Sequence, residues 1–205
     1  MSIQLYHMTH IGNLESIIKA SRLYSDAAAQ AYKPRSIAYI NLKQKRKFTH
    51  VPIPPNGFIA DYVPFYFAPR SPMLYAIHTG YVHSGLSQTE IIYLVTSIEA
   101  IVQAEKVFVF TDRHPLRHCR FSNNLSDLNQ FVDWQVMRSE RWHDTPQYPN
   151  RKSRRQAEFL VHQAVEWSLI EQIGVYDQGL LQRVQQILQS ASHQPLVSVR
   201  RDWYY

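Results

Sequence analysis

The sequence predicts an α+β fold in which a mixed or antiparallel sheet forms the core and helices flank it. Short apolar strand segments are interspersed irregularly with helical ones, unlike the regular alternation of βαβ units. No G-x-G-x-x-G or Walker loop is present, which argues against a dinucleotide-binding or P-loop fold of the common kind. The chain has 205 residues, 45% of them hydrophobic and 19% charged. With no repeat or linker dividing it, residues 1–205 are expected to form one globular domain.

In the first half, apolar alternation and the positions of prolines define the elements. We predict strands over residues 2–8 and 62–67 and helices over 10–19, 36–47 and 72–79. The second half ends in a strand-rich segment. We predict helices over 97–104 and 178–190, and strands over 91–96, 107–110, 158–165, 170–176 and 196–200. Residues 121–149 show no clear period and are expected to be helical or irregular.

The charge of the chain favours a polyanionic partner. Its net charge is +6, and 13 Tyr, nine Phe and four Trp supply flat faces on which bases can stack. The alternative is a Tyr-rich core with a basic surface, and composition alone does not separate the two. No apolar run reaches the ~18 residues that cross a bilayer. The N-terminal segment lacks the pattern of a secretory signal, so we expect a cytoplasmic protein without a membrane partner.

Metal binding is not expected. Cys119 is the single cysteine, which excludes an intrachain disulfide and a cluster of zinc thiolates. His114 and His118 lie close to it in the sequence, but no further set of ligands accompanies them.

Two polar features near apolar segments are candidates for ligand binding. In a strand, His7 and Thr9 point to the same face, where they could bind a ribose hydroxyl or a carboxamide. Ser71 and Tyr75 follow a strand at a tight corner, where a ring could stack on a planar ligand. The alternatives are a structural histidine and a corner packed by aromatic side chains.

Two charged features complete the candidates. The run Lys43–Lys47, which contains Arg46, could bind phosphates or place one arginine in a site, or it could be a solvated helix face. Glu158 stands between the basic segment RKSRR and an apolar strand. A carboxylate there could stabilise a developing cation or bind a ribose hydroxyl, or it could simply be exposed.

The order of these features resembles the ADP-ribosyltransferase fold of the His-Tyr-Glu class, with His7, Tyr75 and Glu158 in the three positions. A closer resemblance, spread over the whole chain, is to the DarT family of DNA ADP-ribosyltransferase toxins, in its thymidine-modifying branch. It is carried by YHMTHIGNLESII, RSIAYINLKQKR, DYVPFYFAPRSPMLYAI, FVFTDRH, QAEFLV and RRDWYY.

The resemblance implies roles for individual residues, with NAD as co-substrate and no metal. Glu158 would be the catalytic glutamate, and Arg46 the functional arginine, acting either on the base or on NAD. The spacing of Ser71 and Tyr75 is one residue wider than in poly(ADP-ribose) polymerases. The implied cofactor-binding residues are His7, Thr9, Asn13, Leu14, Arg46, Ser71 and Tyr75.

The resemblance also implies a toxin that modifies thymine in single-stranded DNA, blocks replication and is opposed by a DarG-like macrodomain antitoxin. Alternatives are an ADP-ribosyltransferase acting on guanine, RNA or protein, and a non-catalytic protein that binds single-stranded nucleic acid. The segment from His114 to Glu158 would hold the DNA through phosphate contacts and stacking. The residues expected to do so are His114, Arg138, Arg141, Trp142, Tyr148, Arg151, Lys152, Arg154 and Arg155.

Overall fold

The computed structural model describes residues 2–81 and 85–205. Its strands are β1 Gln4–His10, β2 Arg22–Tyr24, β3 Tyr62–Tyr66, β4 Ile91–Ser97, β5 Phe108–Thr111, β6 Phe121–Ser122, β7 Glu158–His162, β8 Ala164–Glu166, β9 Gln172–Val175 and β10 Leu196–Val199. Its α-helices are α1 Leu14–Ala20, α2 Ile40–Phe48, α3 Pro72–His78, α4 Ile98–Gln103, α5 Leu128–Phe131, α6 Trp134–Arg138, α7 Arg151–Arg154 and α8 Gln178–Leu188.

The main sheet has eight strands in the order β10-β9-β4-β1-β3-β7-β5-β6. Its neighbours pair antiparallel except β9 and β10, which run parallel. The predicted α+β class with a mixed sheet and flanking helices is therefore confirmed. β1 lies near the centre between β3 and β4, and β3 pairs with β7, so that Tyr66 stands opposite Glu158.

Side-chain caps determine where several helices begin. The Ser71 hydroxyl accepts a hydrogen bond from the Leu74 amide at 3.2 Å, and Pro72 occupies the first turn of α3. Asp177 caps α8 by accepting from the Leu180 amide at 2.8 Å. α2 begins at Ile40, four residues later than the predicted helix over 36–47.

The prediction of one strand over 158–165 is wrong in one respect, because the segment forms two strands, β7 and β8. Gln163 has φ of 63°, a left-handed conformation that breaks the ladder, and its amide donates to the Asp61 carbonyl. The chain then turns into β8, which pairs with β2 in a separate two-stranded sheet. Neither β2 nor β6 was predicted, because three and two residues are too few to show a period.

Apolar side chains cover both faces of the sheet. Leu5, Phe65 and Phe159 belong to the larger cluster, and Tyr6 and Tyr93 to the cluster on the opposite face. Among the described residues, no helix combines the length and the hydropathy that crossing a membrane requires.

Candidate active site

A cleft opens where strands β1, β3 and β7 face the segment that runs from β2 into α2. It encloses about 1030 Å³ including its open mouth. His7 and Thr9 of β1 lie in its wall, as alternation along the strand predicts. Arg46 and Glu158 contribute the charged part of the same wall.

Arg46 and Glu158 form a buried ion pair across 112 residues of sequence. Nη1 of Arg46 donates to both carboxylate oxygens, at 3.1 Å and 3.0 Å. The side chains are only 11% and 3% exposed. Glu158 begins β7, and its amide donates to the Thr111 hydroxyl at 3.0 Å, which fixes the backbone beneath the carboxylate.

Burial disfavours the charged forms of both side chains, and their mutual attraction opposes this effect. Desolvation raises the pKa of Glu158, and the Arg46 guanidinium partly offsets that rise. For Arg46, burial acts to lower the pKa, but the hydrogen bonds and charge of Glu158 together with the charge of Asp26 outweigh it and the pKa is raised. Arg46 is therefore a permanent cation, and Glu158 is a more basic carboxylate than one in water.

His7 is held in one tautomer. Its Nδ1 lies 2.8 Å from the Pro64 carbonyl, which can only accept, so Nδ1 carries the proton. Burial lowers the pKa of His7, which keeps the ring neutral. Nε2 is then an acceptor in the wall of the cleft.

Asn13 connects β1 to the loop over the cleft. Its Nδ2 donates to the Thr9 hydroxyl at 3.0 Å and to the Arg35 carbonyl at 2.9 Å. Its Oδ1 accepts from the Arg35 amide at 2.8 Å. Both amide protons are used inside the protein, so Asn13 shapes the cleft rather than donating to a ligand.

Three of the residues expected to bind cofactor do not line the cleft. The Leu14 side chain is fully buried in the larger core cluster, because α1 turns it toward the sheet. The Ser71 hydroxyl is 1% exposed and caps α3 while contacting the Met8 sulfur. Tyr75 lies elsewhere, packed edge-on against Trp142 and Tyr205 with ring centroids 5.7 Å and 5.1 Å away.

Tyr66 and Met73 line the cleft instead. Tyr66 was part of the predicted strand but was not singled out as a site residue. The signal was its position in the β3–β7 ladder, because the residue opposite Glu158 must share its surroundings. The sequence alone does not give the register of β3 against β7, so it does not identify Tyr66 as the neighbour of Glu158.

A second cavity adjoins the first, and Tyr66 and Met73 line both. Tyr75, His114, Trp142 and Lys152 also line it, although they are far apart in the sequence. The Trp142 indole donates to the Tyr205 hydroxyl at 2.7 Å, which fixes the indole in the wall. The second cavity therefore gathers aromatic faces and a cation next to the cleft that Glu158 lines.

His114 is a neutral donor in this cavity. Its Nδ1 accepts from the Leu116 amide at 3.1 Å, so the proton resides on Nε2. Burial, reinforced by the charges of Arg46 and Arg117, lowers the pKa of His114 to about 4.

Arg155 was expected to bind DNA, and the structure contradicts this. Its side chain is buried, at 4% exposure, and its guanidinium donates to the carbonyls of Val136, Met137, Ser139 and Pro69. These bonds join the end of α6 to the corner that follows β3, and burial of the guanidinium separates it from a phosphate of the DNA backbone.

The other basic residues of this segment lie near the surface of the protein, and their contacts differ from one to the next. Arg151 donates to the Ser139 hydroxyl and to the Arg141 carbonyl, and its guanidinium lies 5.8 Å from the centre of the Tyr148 ring. Arg154 pairs with Asp133 at 2.9 Å. Arg138 lines a groove beside Trp134, away from both cavities. Lys152 is thus the only one of the predicted arginines and lysines that lines the second cavity among the described residues.

We expect Arg155→Met to lower the free energy of unfolding by at least 1–3 kcal/mol, roughly the cost of one buried polar group left unsatisfied. Lys152→Met should leave stability within about 0.5 kcal/mol but weaken binding of single-stranded DNA and flatten its salt dependence. Chemical denaturation and DNA titrations at several salt concentrations measure both effects. A stable Arg155→Met protein with a reduced salt slope would restore Arg155 as a phosphate contact.

Comparison with known proteins identifies the family. The family model described as "ssDNA thymidine ADP-ribosyltransferase, DarT" matches residues 6–205. The chain belongs to the DarT family. A DNA ADP-ribosyl transferase of Thermus sp. (strain 2.9) is 44% identical over 204 residues, covering 98% of this chain and 95% of the relative.

Solved structures of the Thermus sp. 2.9 DarT confirm the predicted fold. Its complex with ADP-ribosylated single-stranded DNA matches with a TM-score of 0.93 and 41% identity, covering 100% of this chain and 97% of that one. Its complex with NAD+ matches with a TM-score of 0.88 and 41% identity, covering 100% and 98%. The predicted family membership is therefore confirmed.

Among the described residues, no three His, Cys, Asp or Glu side chains cluster in a way that could hold a metal ion.

Proposed function

We propose that this chain transfers ADP-ribose from NAD to a thymine base in single-stranded DNA, with Glu158 and Arg46 as its catalytic residues. NAD-dependent ADP-ribosylation of DNA follows from membership in the DarT family. The choice of thymine and the roles of the residues rest on the geometry. The observation that carries them is the Glu158–Arg46 pair beside Tyr66, a side chain that lines both adjoining cavities.

The larger cleft suits NAD. The neutral Nε2 of His7 can accept from a ribose hydroxyl, and the Thr9 hydroxyl still has its proton to donate. Arg22, Arg35 and Lys43 line the cleft as well and supply positive charge for the pyrophosphate.

Glu158 is proposed to act beside the ribose carbon at which the glycosidic bond breaks. When the glycosidic bond breaks, its electron pair leaves with nicotinamide and positive charge develops on the ribose. A buried carboxylate stabilises that charge more strongly than a carboxylate in water. The thymine N3 then forms the new bond to the ribose carbon, and its proton passes to Glu158, whose raised pKa makes it the better base.

We assign Arg46 to holding the Glu158 carboxylate and the thymine base, not to removing a proton. A guanidinium that remains protonated cannot act as a base. Its Nη2 is buried without a hydrogen-bond partner in the described chain, so it can donate to a substrate oxygen.

The second cavity suits the target base. Tyr75 and Trp142 offer aromatic surfaces, and Lys152 offers a charge for a phosphate. Thymine has a carbonyl oxygen on each side of N3, which would match two donors, Nε2 of His114 in this cavity and Nη2 of Arg46 in the adjoining cleft. Guanine presents one acceptor and one donor around N1 and matches this pair less well.

Mass spectrometry of oligonucleotides incubated with the enzyme and NAD tests the proposal. We expect a mass increase of one ADP-ribose on single strands that contain thymine, with equimolar release of nicotinamide. The same strands with every thymine replaced by cytosine are the matched control. Modification of guanine, RNA or protein in place of thymine would overturn the base assignment, and DNA binding without nicotinamide release would overturn the enzymatic function.

We further propose that the reaction takes place in the cytoplasm. The family resemblance also implies that it blocks replication and is reversed by a macrodomain antitoxin. Inducible expression should stop DNA synthesis with the parent chain but not with Glu158→Gln. Co-expression of a macrodomain that removes ADP-ribose from DNA should restore growth. Equal arrest by both chains would contradict a toxic role for the modification.

A further inference from the structure

Helix α2 has two faces of different chemistry. Lys43 and Arg46 are one turn apart and point inward, where Lys43 pairs with Asp26 at 3.0 Å and Arg46 with Glu158. The opposite face carries a second set at helical spacing, which lines a groove on the outside of the protein: Asn41, Gln44, Lys45 and Phe48.

We propose that this outward face of α2 is a subsite for the nucleotide next to the modified one in the DNA strand. The assignment rests on the proposed function, because it presupposes a DNA substrate whose target base lies in the second cavity. It assigns Phe48 as a stacking platform and Lys45 as a phosphate contact. Asn41 and Gln44 supply amides that can bond to a base edge.

The exposure of Phe48 is the first argument. Phe48 is 78% exposed, more than any other large hydrophobic side chain of the described residues. Stacking this ring on a flat apolar partner would be favourable, because apolar surface of both groups would leave water. Nucleobases provide such a partner, and stacking on aromatic side chains is a common mode of single-strand binding.

Charge is the second argument. Lys45 is exposed, and within the described chain it has no ion-pair partner, in contrast to Lys43 and Arg46. A cation beside an aromatic ring matches the alternation of phosphate and base along a single strand.

The groove beside α2 is connected to the second cavity through Leu116. Leu116 closes the groove opposite α2, and its amide donates to Nδ1 of His114, which lines the second cavity. A strand that places its target base at His114 therefore passes Leu116 and reaches α2 with its neighbouring nucleotide. The contact between Leu116 and His114 therefore links the groove to the second cavity along the binding path of the strand.

Steady-state kinetics of Phe48→Ala test the proposal. We expect the KM for a thymine-containing oligonucleotide to rise on the order of tenfold, as loss of one base stack predicts. The KM for NAD and kcat should not change, and Phe48→Trp should restore the parental KM. Leu196→Ala is the matched control, because Leu196 is 68% exposed at the far edge of the sheet; it should behave as the parent.

Oligonucleotides with a single abasic position on either side of the target separate stacking from a general effect of the mutation. With the base that would meet Phe48 removed, the parent and Phe48→Ala should have the same KM. Lys45→Gln should reduce the salt dependence of DNA binding by about one phosphate contact. An unchanged KM for Phe48→Ala on intact strands, or a penalty that persists at every abasic position, would overturn the subsite. If the parent enzyme did not modify these strands at all, the proposed function would fail instead.

Discussion

Replacement Glu158→Gln is expected to reduce ADP-ribosylation of DNA by roughly 10²–10⁴-fold while the protein remains folded. Glutamine keeps an oxygen that accepts from Nη1 of Arg46, so the cleft loses charge and basicity more than shape. Both assigned roles of the carboxylate disappear together, namely stabilisation of the ribose cation and removal of the thymine proton. Single-turnover labelling with NAD measures the loss.

Glu166→Gln is the control for that variant. Glu166 lies at the end of β8, close to β7 in the chain, and pairs with Lys106 at 3.0 Å on a more exposed surface. It should retain parental activity, since exposed pairs contribute about 0–1 kcal/mol. Parental modification by Glu158→Gln would remove Glu158 from the chemistry, whereas loss of DNA binding by that variant would indicate a different role for the carboxylate.

Replacement Arg46→Met is expected to abolish activity and to lower the free energy of unfolding by about 3–5 kcal/mol at neutral pH, because it leaves the buried Glu158 without its cation. Without Arg46, the pKa of Glu158 rises further above its ordinary value of about 4.3. A raised pKa in the folded protein means that stability is lost as the pH rises from that ordinary value toward the folded one. The deficit should therefore be largest at neutral pH and shrink toward pH 4. Denaturant unfolding across this range measures it.

Lys43→Met provides the comparison within the same helix. Its partner Asp26 and its own side chain are 31% and 29% exposed, so the same change should cost no more than about 1 kcal/mol. An Arg46→Met protein as stable as Lys43→Met at neutral pH would show that Glu158 is not held as a buried carboxylate.

The parts of the fold that sequence reasoning predicted are those with a local signal. Apolar alternation placed β1, β3 and β4, and the Ser71–Pro72 pair placed the start of α3. The same alternation put His7 and Thr9 on one face, where both line the cleft. The break at Gln163 had no such signal, because a single residue with positive φ does not change the apolar pattern on either side.

The arrangement of charged side chains depended on the tertiary fold. Arg154 and Arg155 are adjacent and identical in type, yet one is on the surface and the other is bonded to four carbonyls. Composition cannot distinguish them, because the difference lies in which carbonyls the corner after β3 brings near. Contact between Arg46 and Glu158 likewise depends on how the fold brings α2 to the start of β7. The family resemblance named both residues, but it did not give their contact.

The bonds from Asn13 to Arg35 have a consequence for how NAD is recognised. The loop over the cleft is held to the residues that follow β1 by the protein's own amide contacts, so its position does not have to be created by the incoming cofactor. Less conformational entropy is then lost on binding, and more of the interaction energy remains as affinity. The affinity for NAD would in this way depend on Asn13, a side chain whose hydrogen bonds are all made within the enzyme.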